Sequence, residues 1–359
     1  MILTRIGIRG LRNLKDAELQ PAAGANLVYG ANASGKTSLL EAVYLLAHAR
    51  SFRSAQIRNV IAADQQVLLV HGQITDPQGE NQIRLGIERT RDSTTLRLNQ
   101  QSVRQSSLLA QKLPLQLLTP ESIRLLEQGP GQRRRYLDWG LFHVEHTFHS
   151  AWNDYTRALK QRNAALRSGS DPEQVRLWDA TLVERGEQIS RLRERYVDSL
   201  RDTLSRISER LLGFAPDFAY RRGWKKELDL ESALQTALER DRQHGATSVG
   251  PHRADLVCLV DGVPAQERFS RGQLKMLVCA MRLAQAEHLA IKQSRRPIFL
   301  VDDIAAELDP GRRNALLAIL NESRVQLFLT ATEREQLDVS GWESRKMFHV
   351  EHGKIAEVV

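Results

Sequence analysis

The chain of 359 residues is long enough for two or three domains of about 150 residues each, and its 42% hydrophobic and 26% charged residues are typical of a globular protein rather than a disordered one. No stretch approaches the roughly 20 apolar residues of a membrane span, and Cys258 and Cys279 lack metal-ligand spacing, so we predict buried thiols in a reducing cytoplasm. The net charge is +8, with 41 arginines and 10 lysines. Arginine grips phosphate oxygens with two hydrogen bonds, although a GC-rich genome would produce the same excess.

The first third of the sequence has the pattern of short strands around one early helix. Short or alternating apolar runs predict strands over residues 2–8, 26–29, 67–75, 82–89 and 94–98. Apolar residues on one side of residues 37–50 predict a helix. A glycine-rich turn therefore lies between the second strand and this helix.

That turn matches the phosphate-binding pattern G-x-x-x-x-G-K-[ST] at every position. Glycines allow successive backbone N–H groups to face phosphate oxygens, and the start of the helix adds partial positive charge. In this pattern Lys36 reaches the β- and γ-phosphates and the Thr37 hydroxyl is a ligand of Mg²⁺, so ATP and Mg²⁺ are the predicted cofactors. The predicted nucleotide-binding residues are Gly30, Ala31, Asn32, Ala33, Ser34, Gly35, Lys36 and Thr37.

Long helices with many charged residues are predicted for the middle of the chain, over residues 132–242. Apolar residues at steps of three or four draw one stripe over residues 189–211. The stripe is too short for a long coiled-coil arm, so we expect it to pack within its own domain. Strand character returns near residue 214 and again at residues 254–260, and a further helix is predicted over residues 271–292.

An uninterrupted apolar run over residues 297–301 is typical of a strand buried on both faces of a mainly parallel sheet. Asp302 and Asp303 follow it directly, which is the form of a Walker B segment. In such a segment the first carboxylate, Asp302, holds Mg²⁺ through water and the second, Asp303, orients or deprotonates the attacking water. With Lys36, these are the predicted catalytic residues.

Two short strings around this strand resemble motifs of the ATP-binding cassette (ABC) superfamily. Residues 307–309 resemble its D-loop, with Asp309 as the last residue, and the start of helix 271–292 resembles its signature sequence. The resemblance implies that the signature of one subunit closes in trans on ATP held by the phosphate loop of another, so that ATP joins two subunits and hydrolysis separates them. The signature residues are Ser270, Arg271, Gly272 and Gln273.

Further segments resemble one family within this group, the bacterial RecF recombination-repair proteins, which are related to SMC-type ATPases. These segments occur in the family's order and span nearly the whole chain. They are RSFRS at 50–54, TPE at 119–121 with GP at 129–130, RRRYLD at 133–138, KQRN at 160–163 and GPHR at 250–253.

This resemblance implies the fold class, an α/β P-loop NTPase of the ABC/SMC-head type. Both chain ends, residues 1–115 and 290–359, are expected to form the ATP-binding α/β lobe with Walker A, Walker B and the D-loop. Residues 116–289 are expected to form an inserted, mainly helical lobe that ends in the signature motif and has no long coiled coil.

The same resemblance implies a function. The expected activity is ATP-dependent homodimerisation on DNA with weak, DNA-stimulated hydrolysis of ATP. The expected role lies in recombinational repair, replication and the SOS response, in partnership with RecR and RecO, through loading of the recombinase RecA at gaps or stalled forks.

Two positions depart from the general cassette pattern. Asp303 stands where most members carry glutamate, so its carboxylate is one methylene shorter, and the switch position, where many members carry histidine, falls at residues 330–332 (TAT). We therefore predict slow turnover in which ATP acts as a timer. Gln116 is the candidate for the superfamily's Q-loop contact to the nucleotide; the alternative is an ordinary polar residue at a strand end.

Contacts to DNA phosphates require several basic side chains on one surface. The sequence contains no base-reading motif such as a zinc finger, which predicts sequence-independent binding. For each basic cluster the alternative is a solvated helix or turn. The candidates are Arg133, Arg134 and Arg135 in one cluster and Arg221, Arg222, Trp224, Lys225 and Lys226 in the other, where the tryptophan could stack on a base.

Two other classes of protein share part of these motifs. The ATPase subunit of a membrane transporter carries the same ATP motifs, but the 240 residues between Gly30 and Ser270 exceed the spacing usual in such subunits. A P-loop kinase for a small molecule leaves the signature unexplained. An ATP-gated DNA-binding protein without a membrane partner is therefore the preferred prediction.

Overall fold

The structure, a computed structural model, describes residues 1–56, 59–76 and 79–358. Its strands are β1 (Ile2–Leu11), β2 (Leu14–Leu19), β3 (Ala25–Tyr29), β4 (Leu68–Thr75), β5 (Gln82–Arg89), β6 (Thr94–Leu98), β7 (Gln101–Val103), β8 (Leu115–Leu118), β9 (Asp217–Arg221), β10 (Asp255–Val260), β11 (Val263–Pro264), β12 (Ile298–Val301), β13 (Leu327–Ala331), β14 (Arg345–Glu351) and β15 (Lys354–Val358). Its helices are α1 (Lys36–His48), α2 (Ser106–Lys112), α3 (Arg124–Glu127), α4 (Gly129–Val144), α5 (His146–Arg167), α6 (Pro172–Arg176), α7 (Asp179–Leu212), α8 (Leu230–His244), α9 (Ala265–Arg268), α10 (Arg271–Gln293), α11 (Ile304–Glu307) and α12 (Pro310–Glu322).

The chain divides into two compact units. One contains Met1–Ser122 with Leu289–Val359, and the other contains Ile123–His288. The first boundary therefore lies beyond the expected residue 115, because β8 pairs in parallel with β12 along its whole length and belongs to the first unit. Within the part of the chain that the structure describes, no helix combines the length and apolar character that a bilayer span requires.

A mostly parallel sheet positions the candidate site in the first unit. Its strand order is β15-β14-β3-β13-β12-β8, and only β15 runs antiparallel to its neighbour. Strands β12 and β13 are buried at every residue, as expected for strands covered on both faces. The segments that follow β3, β12 and β13 leave the sheet at one edge, where open α/β sheets bind their ligands.

Helix α1 is held between this sheet and a second, antiparallel one. The second sheet has the strand order β2-β1-β4-β5-β6-β7. Fully buried side chains from α1 and both sheets, such as Leu39, Val70 and Phe328, form a continuous core. The glycine-rich turn before α1 is therefore attached to a rigidly packed helix.

The second unit is a helical assembly with a small sheet of order β11-β10-β9. Buried arginines join its helices. Arg162 on α5 donates to Asp179 on α7 at 2.8 Å and to Asp241 on α8 at 2.9 Å, and Arg193 on α7 pairs with Asp138 on α4 at 2.7 Å. Because a buried charge without a partner is costly, these pairs oppose alternative packings of the helices.

Candidate functional site

The phosphate-binding pattern forms the turn between β3 and α1. Gly30 and Gly35 adopt φ angles of 149° and 123°, a backbone region that side chains disfavour. A Cβ atom at Gly30 would lie 2.2 Å from the carbonyl oxygen of Val350 on β14. Glycine at position 30 thus allows the loop to pass directly beside a neighbouring strand.

Polar groups of this loop suit an anionic ligand. Lys36 Nζ donates to the carbonyl oxygens of Gly30 at 2.7 Å and Ala31 at 2.9 Å. Burial lowers the pKa of Lys36, while Asp303 and Asp302 act in the opposite direction. The buried Ser34 Oγ has no hydrogen-bond partner among the described residues, so the loop contains a hydroxyl that phosphate oxygens could satisfy.

Asp302 connects the end of β12 with the start of α1. Its Oδ1 accepts hydrogen bonds from Thr37 Oγ1 at 3.1 Å and Thr330 Oγ1 at 2.9 Å. Burial raises the pKa of Asp302, although both hydroxyl donors lower it. The Thr37 hydroxyl and the Asp302 carboxylate therefore place two oxygen atoms side by side. Mg²⁺ prefers oxygen ligands and usually binds to one or two protein groups together with nucleotide phosphates, so these two residues fit a Mg²⁺ site.

Asp303 and Thr330 lie beside this pair. Asp303 has a left-handed backbone with φ 54°, its carboxylate is exposed, and its N–H donates to Thr330 Oγ1 at 2.8 Å. Thr330, at the predicted switch position, is only 1% exposed. Its hydroxyl therefore binds the backbone of one aspartate and the side chain of the other.

A charged cluster joins Glu41 of α1 to the segment of residues 50–54, and the sequence did not predict its contacts. Glu41 is fully buried and accepts two hydrogen bonds of 2.9 Å from Arg12. Ser51 Oγ also donates to it, and Arg53 pairs with it at 3.6 Å. The charge of Arg53 also lowers the pKa of Asp302. The available signals were Glu41 itself, an acidic residue within the apolar pattern of a helix, and the RSFRS segment at 50–54.

Two further predicted site residues, Gln116 and Asp309, lie in β8 and at the start of α12. Gln116 lies inside β8, in register with Phe299, and is 1% exposed, and its Q-loop contact to the nucleotide stays a prediction. Asp309 is the N-cap of α12, where its side chain accepts from the Arg312 N–H at 3.0 Å.

The predicted signature forms the start of α10 in the second unit. Ser270 Oγ accepts from the Gln273 N–H at 3.3 Å, and Gln273 Oε1 accepts from the Ser270 N–H at 3.0 Å. This reciprocal pair is a capping box. Arg271 is exposed and Gly272 is half-buried at the same helix end.

The first basic cluster is mostly structural. Arg133 is 7% exposed and forms a bidentate pair with Asp255 at 2.7 and 3.0 Å, so its guanidinium is engaged within the protein. Arg134 donates to the carbonyl oxygen of Ala254 at 2.7 Å. Arg135 is exposed and is the residue of this cluster that remains a candidate.

The second basic cluster is divided in the same way. Arg222 donates to the carbonyl oxygens of residues 225, 226 and 228, and its guanidinium lies 4.9 Å from the centre of the Trp224 ring. One face of that ring is therefore occupied, and stacking of the other face on a base stays a prediction. Arg221, Lys225 and Lys226 are exposed.

Similarity to known proteins identifies relatives over the whole chain. The family model for the RecF/RecN/SMC N terminal domain matches residues 2–356. A DNA replication and repair protein RecF from Edwardsiella ictaluri is 45% identical over 358 residues, which cover 99% of this chain and 100% of that protein. The corresponding protein from Yersinia pseudotuberculosis is 45% identical over 356 residues, or 99% and 98% of the two chains.

Solved structures agree with this similarity. The structure of the recombination mediator protein RecF with ATP superposes with a TM-score of 0.88 at 25% identity, covering 100% of this chain and 98% of that chain. An SMC head bound to the C-winged helix domain of ScpA superposes with a TM-score of 0.62 at 13% identity, covering 100% and 98%, and supports the fold alone. The predicted ABC/SMC-head fold class is confirmed, and the chain belongs to the RecF/RecN/SMC family, within which its closely similar relatives are RecF proteins.

Proposed function

We propose that this chain is an ATP-dependent DNA-binding protein of recombinational repair and replication, and that ATP with Mg²⁺ joins two copies of it on DNA. The observation that carries the proposal is the contact between Thr37 and Asp302, two residues 265 positions apart in the sequence. It completes a phosphate loop with the carboxylate that such loops require. The full-length RecF relatives favour this function over the transporter alternative.

Different residues of the first unit are proposed to bind ATP and to support its hydrolysis. Lys36, Ser34 and the loop N–H groups are proposed to bind the phosphates, and Thr37 and Asp302 to hold Mg²⁺. When bound, Mg²⁺ neutralises charge that develops on the transferred phosphoryl group. Asp303 is proposed to orient the attacking water. Because its side chain is shorter than glutamate, we expect weak ATPase activity, well below the usual enzyme median of about 10 s⁻¹.

The capping geometry of α10 supports a contact in trans. The Ser270 hydroxyl oxygen accepts from the helix, so its proton remains able to donate to a phosphate oxygen of a second subunit. The free N–H groups and partial positive charge of a helix start favour the same ligand. We therefore propose that the signature residues close on ATP held by a partner copy, with Asp309 near that interface.

The proposed partners and cellular location are supported by the relatives. RecF is named in the RecFOR pathway, which supports RecR and RecO as partners and the loading of recombinase at gaps or stalled forks in the cytoplasm. DNA stimulation of the ATPase belongs to the same proposal. The exposed side chains of Arg135, Arg221, Lys225 and Lys226 are the remaining candidates for sequence-independent phosphate contacts.

The test is DNA binding and sedimentation of the wild type and Lys36→Arg, with and without ATP, across a salt series. We expect ATP to raise both the dimer fraction and the DNA affinity of the wild type, and the substitution to weaken both effects. Failure of the wild type to bind DNA at low salt would contradict the repair function.

A second variant locates the DNA contact. A plot of log DNA affinity against log salt concentration has a negative slope whose steepness reflects the number of phosphate contacts. Replacing Arg135 by alanine should make this slope shallower by about one, and the variant should still bind DNA without sequence preference. An unchanged slope would exclude Arg135 as a phosphate contact and leave the second cluster as the candidate surface.

A further inference from the structure

Two turns from opposite ends of the chain meet the outer side of the phosphate loop. One is the turn between β1 and β2, which contains Asn13, and the other is the turn between β14 and β15, which contains Gly353. The Gly353 N–H donates to the carbonyl oxygen of Ser34 at 2.9 Å, and Asn13 Nδ2 donates to the same oxygen at 2.8 Å. A single loop carbonyl is therefore fixed by two donors.

Fixing this carbonyl also fixes a donor of the loop. In a trans peptide the C=O and the following N–H point in opposite directions within one plane. When the Ser34 carbonyl is held towards Asn13 and Gly353, the N–H of Gly35 must face the other way, into the loop. Among the described residues this N–H has no hydrogen-bond acceptor, as expected for a donor reserved for a ligand.

Position 353 tolerates only glycine in this arrangement. Its φ angle is +77°, and a Cβ atom there would lie 2.0 Å from the carbonyl oxygen of Asn13. His352 before it has φ 48°, so the pair forms a two-residue type I′ turn. A side chain at 353 would push the two turns apart and shift the N–H that holds Ser34.

The same hairpin contacts the first residue of the loop. A Cβ atom at Gly30 would lie only 2.2 Å from the carbonyl oxygen of Val350 on β14, and the ring of His349 lies 5.1 Å from that of Tyr29, the residue before the loop. The C-terminal hairpin thus borders the loop at its start and near its end.

We propose that the turn at Gly353 is a positioning element of the nucleotide site, which sets the direction of the Gly35 N–H towards a bound phosphate. The inference rests on the proposed function, because it requires a nucleotide in the loop. Gly353 itself touches no ligand and acts through Ser34.

The second unit offers a matched control. The turn between β10 and β11 contains Asp261 and Gly262, with φ angles of 49° and 76°, almost the same as those of the turn at 353. A Cβ at Gly262 would have no atom within 4 Å. Gly262→Ala therefore carries the same backbone strain as Gly353→Ala without the contact to the phosphate loop.

The experiment is titration of both variants and the wild type with fluorescent ATP and ADP analogues, with thermal unfolding of each. We expect Gly353→Ala to raise the Kd for both nucleotides at least about tenfold, or ~1.4 kcal/mol, and Gly262→Ala to leave it unchanged. Equal Kd values for the two variants would overturn the inference, whatever their unfolding temperatures.

A second variant covers the case in which Gly353→Ala does not fold. Asn13→Ala removes the other donor to Ser34 without backbone strain, and it should also raise the Kd; an unchanged Kd would contradict the inference. If the wild type binds no nucleotide, the proposed function and this inference are both overturned. If the wild type, Gly353→Ala and Asn13→Ala all bind nucleotide with the same Kd, this inference alone is overturned.

Discussion

The surroundings of Asp302 disfavour the ionised form of its carboxyl group. Burial raises its pKa more than the hydroxyls of Thr330 and Thr37 lower it. A carboxyl with a folded-state pKa above its unfolded value destabilises the folded protein when ionised, and that cost falls as the pH decreases through the folded-state pKa. At neutral pH the group therefore reduces stability while serving as the proposed Mg²⁺ ligand, a common trade-off at functional sites.

This predicts that Asp302→Asn raises the thermal unfolding temperature at pH 7.5 and abolishes Mg²⁺-dependent ATP hydrolysis. The amide oxygen can still accept from both threonines, and no charge is buried. Calorimetry without nucleotide and a phosphate-release assay measure the two effects.

Asp303→Asn is the matched control for this substitution. Its side chain is exposed, and asparagine tolerates the left-handed backbone that position 303 adopts. We expect hydrolysis to fall without a gain in stability. The argument fails if Asp302→Asn unfolds at a lower temperature than the wild type.

At the scale of elements, the start of α10 combines a structural and a proposed functional role. Ser270 caps the helix through Gln273, and the same hydroxyl is proposed to donate to ATP of a partner copy. Substitutions can separate these two roles. The helix cap requires only a side-chain hydrogen-bond acceptor at position 270, whereas the contact to a phosphate oxygen requires a hydrogen-bond donor that carries no negative charge.

Ser270→Asp should keep the unfolding temperature of the wild type and abolish ATP-dependent dimerisation. Aspartate is a good N-cap, but its carboxylate repels the phosphates of a facing nucleotide. Ser270→Ala should lose about 1 kcal/mol of stability through the missing cap and dimerise better than the aspartate variant. Sedimentation measures the ATP-dependent dimer fraction of each variant, and thermal unfolding measures its stability. If Ser270→Asp dimerises with ATP as well as the wild type does, a trans contact at this residue is excluded.

Elements and motifs were predictable where their signals are local. The strands predicted over residues 82–89 and 94–98 have the same bounds in the structure, because alternation and turn residues mark strands within a few positions. The phosphate loop and Asp302 were predictable because their spacing to a strand is fixed by the chemistry of nucleotide binding.

Contacts between distant segments were not predictable in this way. Arg133 has the sequence signature of an exposed basic cluster, but its partner Asp255 lies 122 residues further along the chain. Gln116 lies two residues after Pro114, a position typical of a strand end, yet pairing with β12 places it inside the sheet. The contact of Gly353 with Ser34 arises because β14 lies next to β3 in the sheet, and no local sequence pattern predicts which strands are neighbours.

At the scale of the whole molecule, each unit contains a buried neutral histidine. In the first unit, burial and the charge of Arg50 lower the pKa of His48 to about 4. In the second, burial lowers the pKa of His252 to about 4, although a hydrogen bond to the Thr247 backbone raises it. Such groups stabilise the folded state fully above the unfolded pKa of about 6.5, and that stability is lost as the pH falls towards 4.

Both units should therefore lose stability over the same range of pH. His48→Phe tests the first unit because the ring of His48 stacks on Tyr44 with centroids 4.4 Å apart, and phenylalanine keeps the stacking without a proton. Between pH 7.5 and 5 the wild type should lose about 2 kcal/mol more than this variant, since one proton must otherwise enter the buried site. Urea unfolding followed by circular dichroism at the two pH values measures the difference. Parallel losses in the two proteins would show that His48 does not control acid stability, and the pH dependence would then have to arise from other groups.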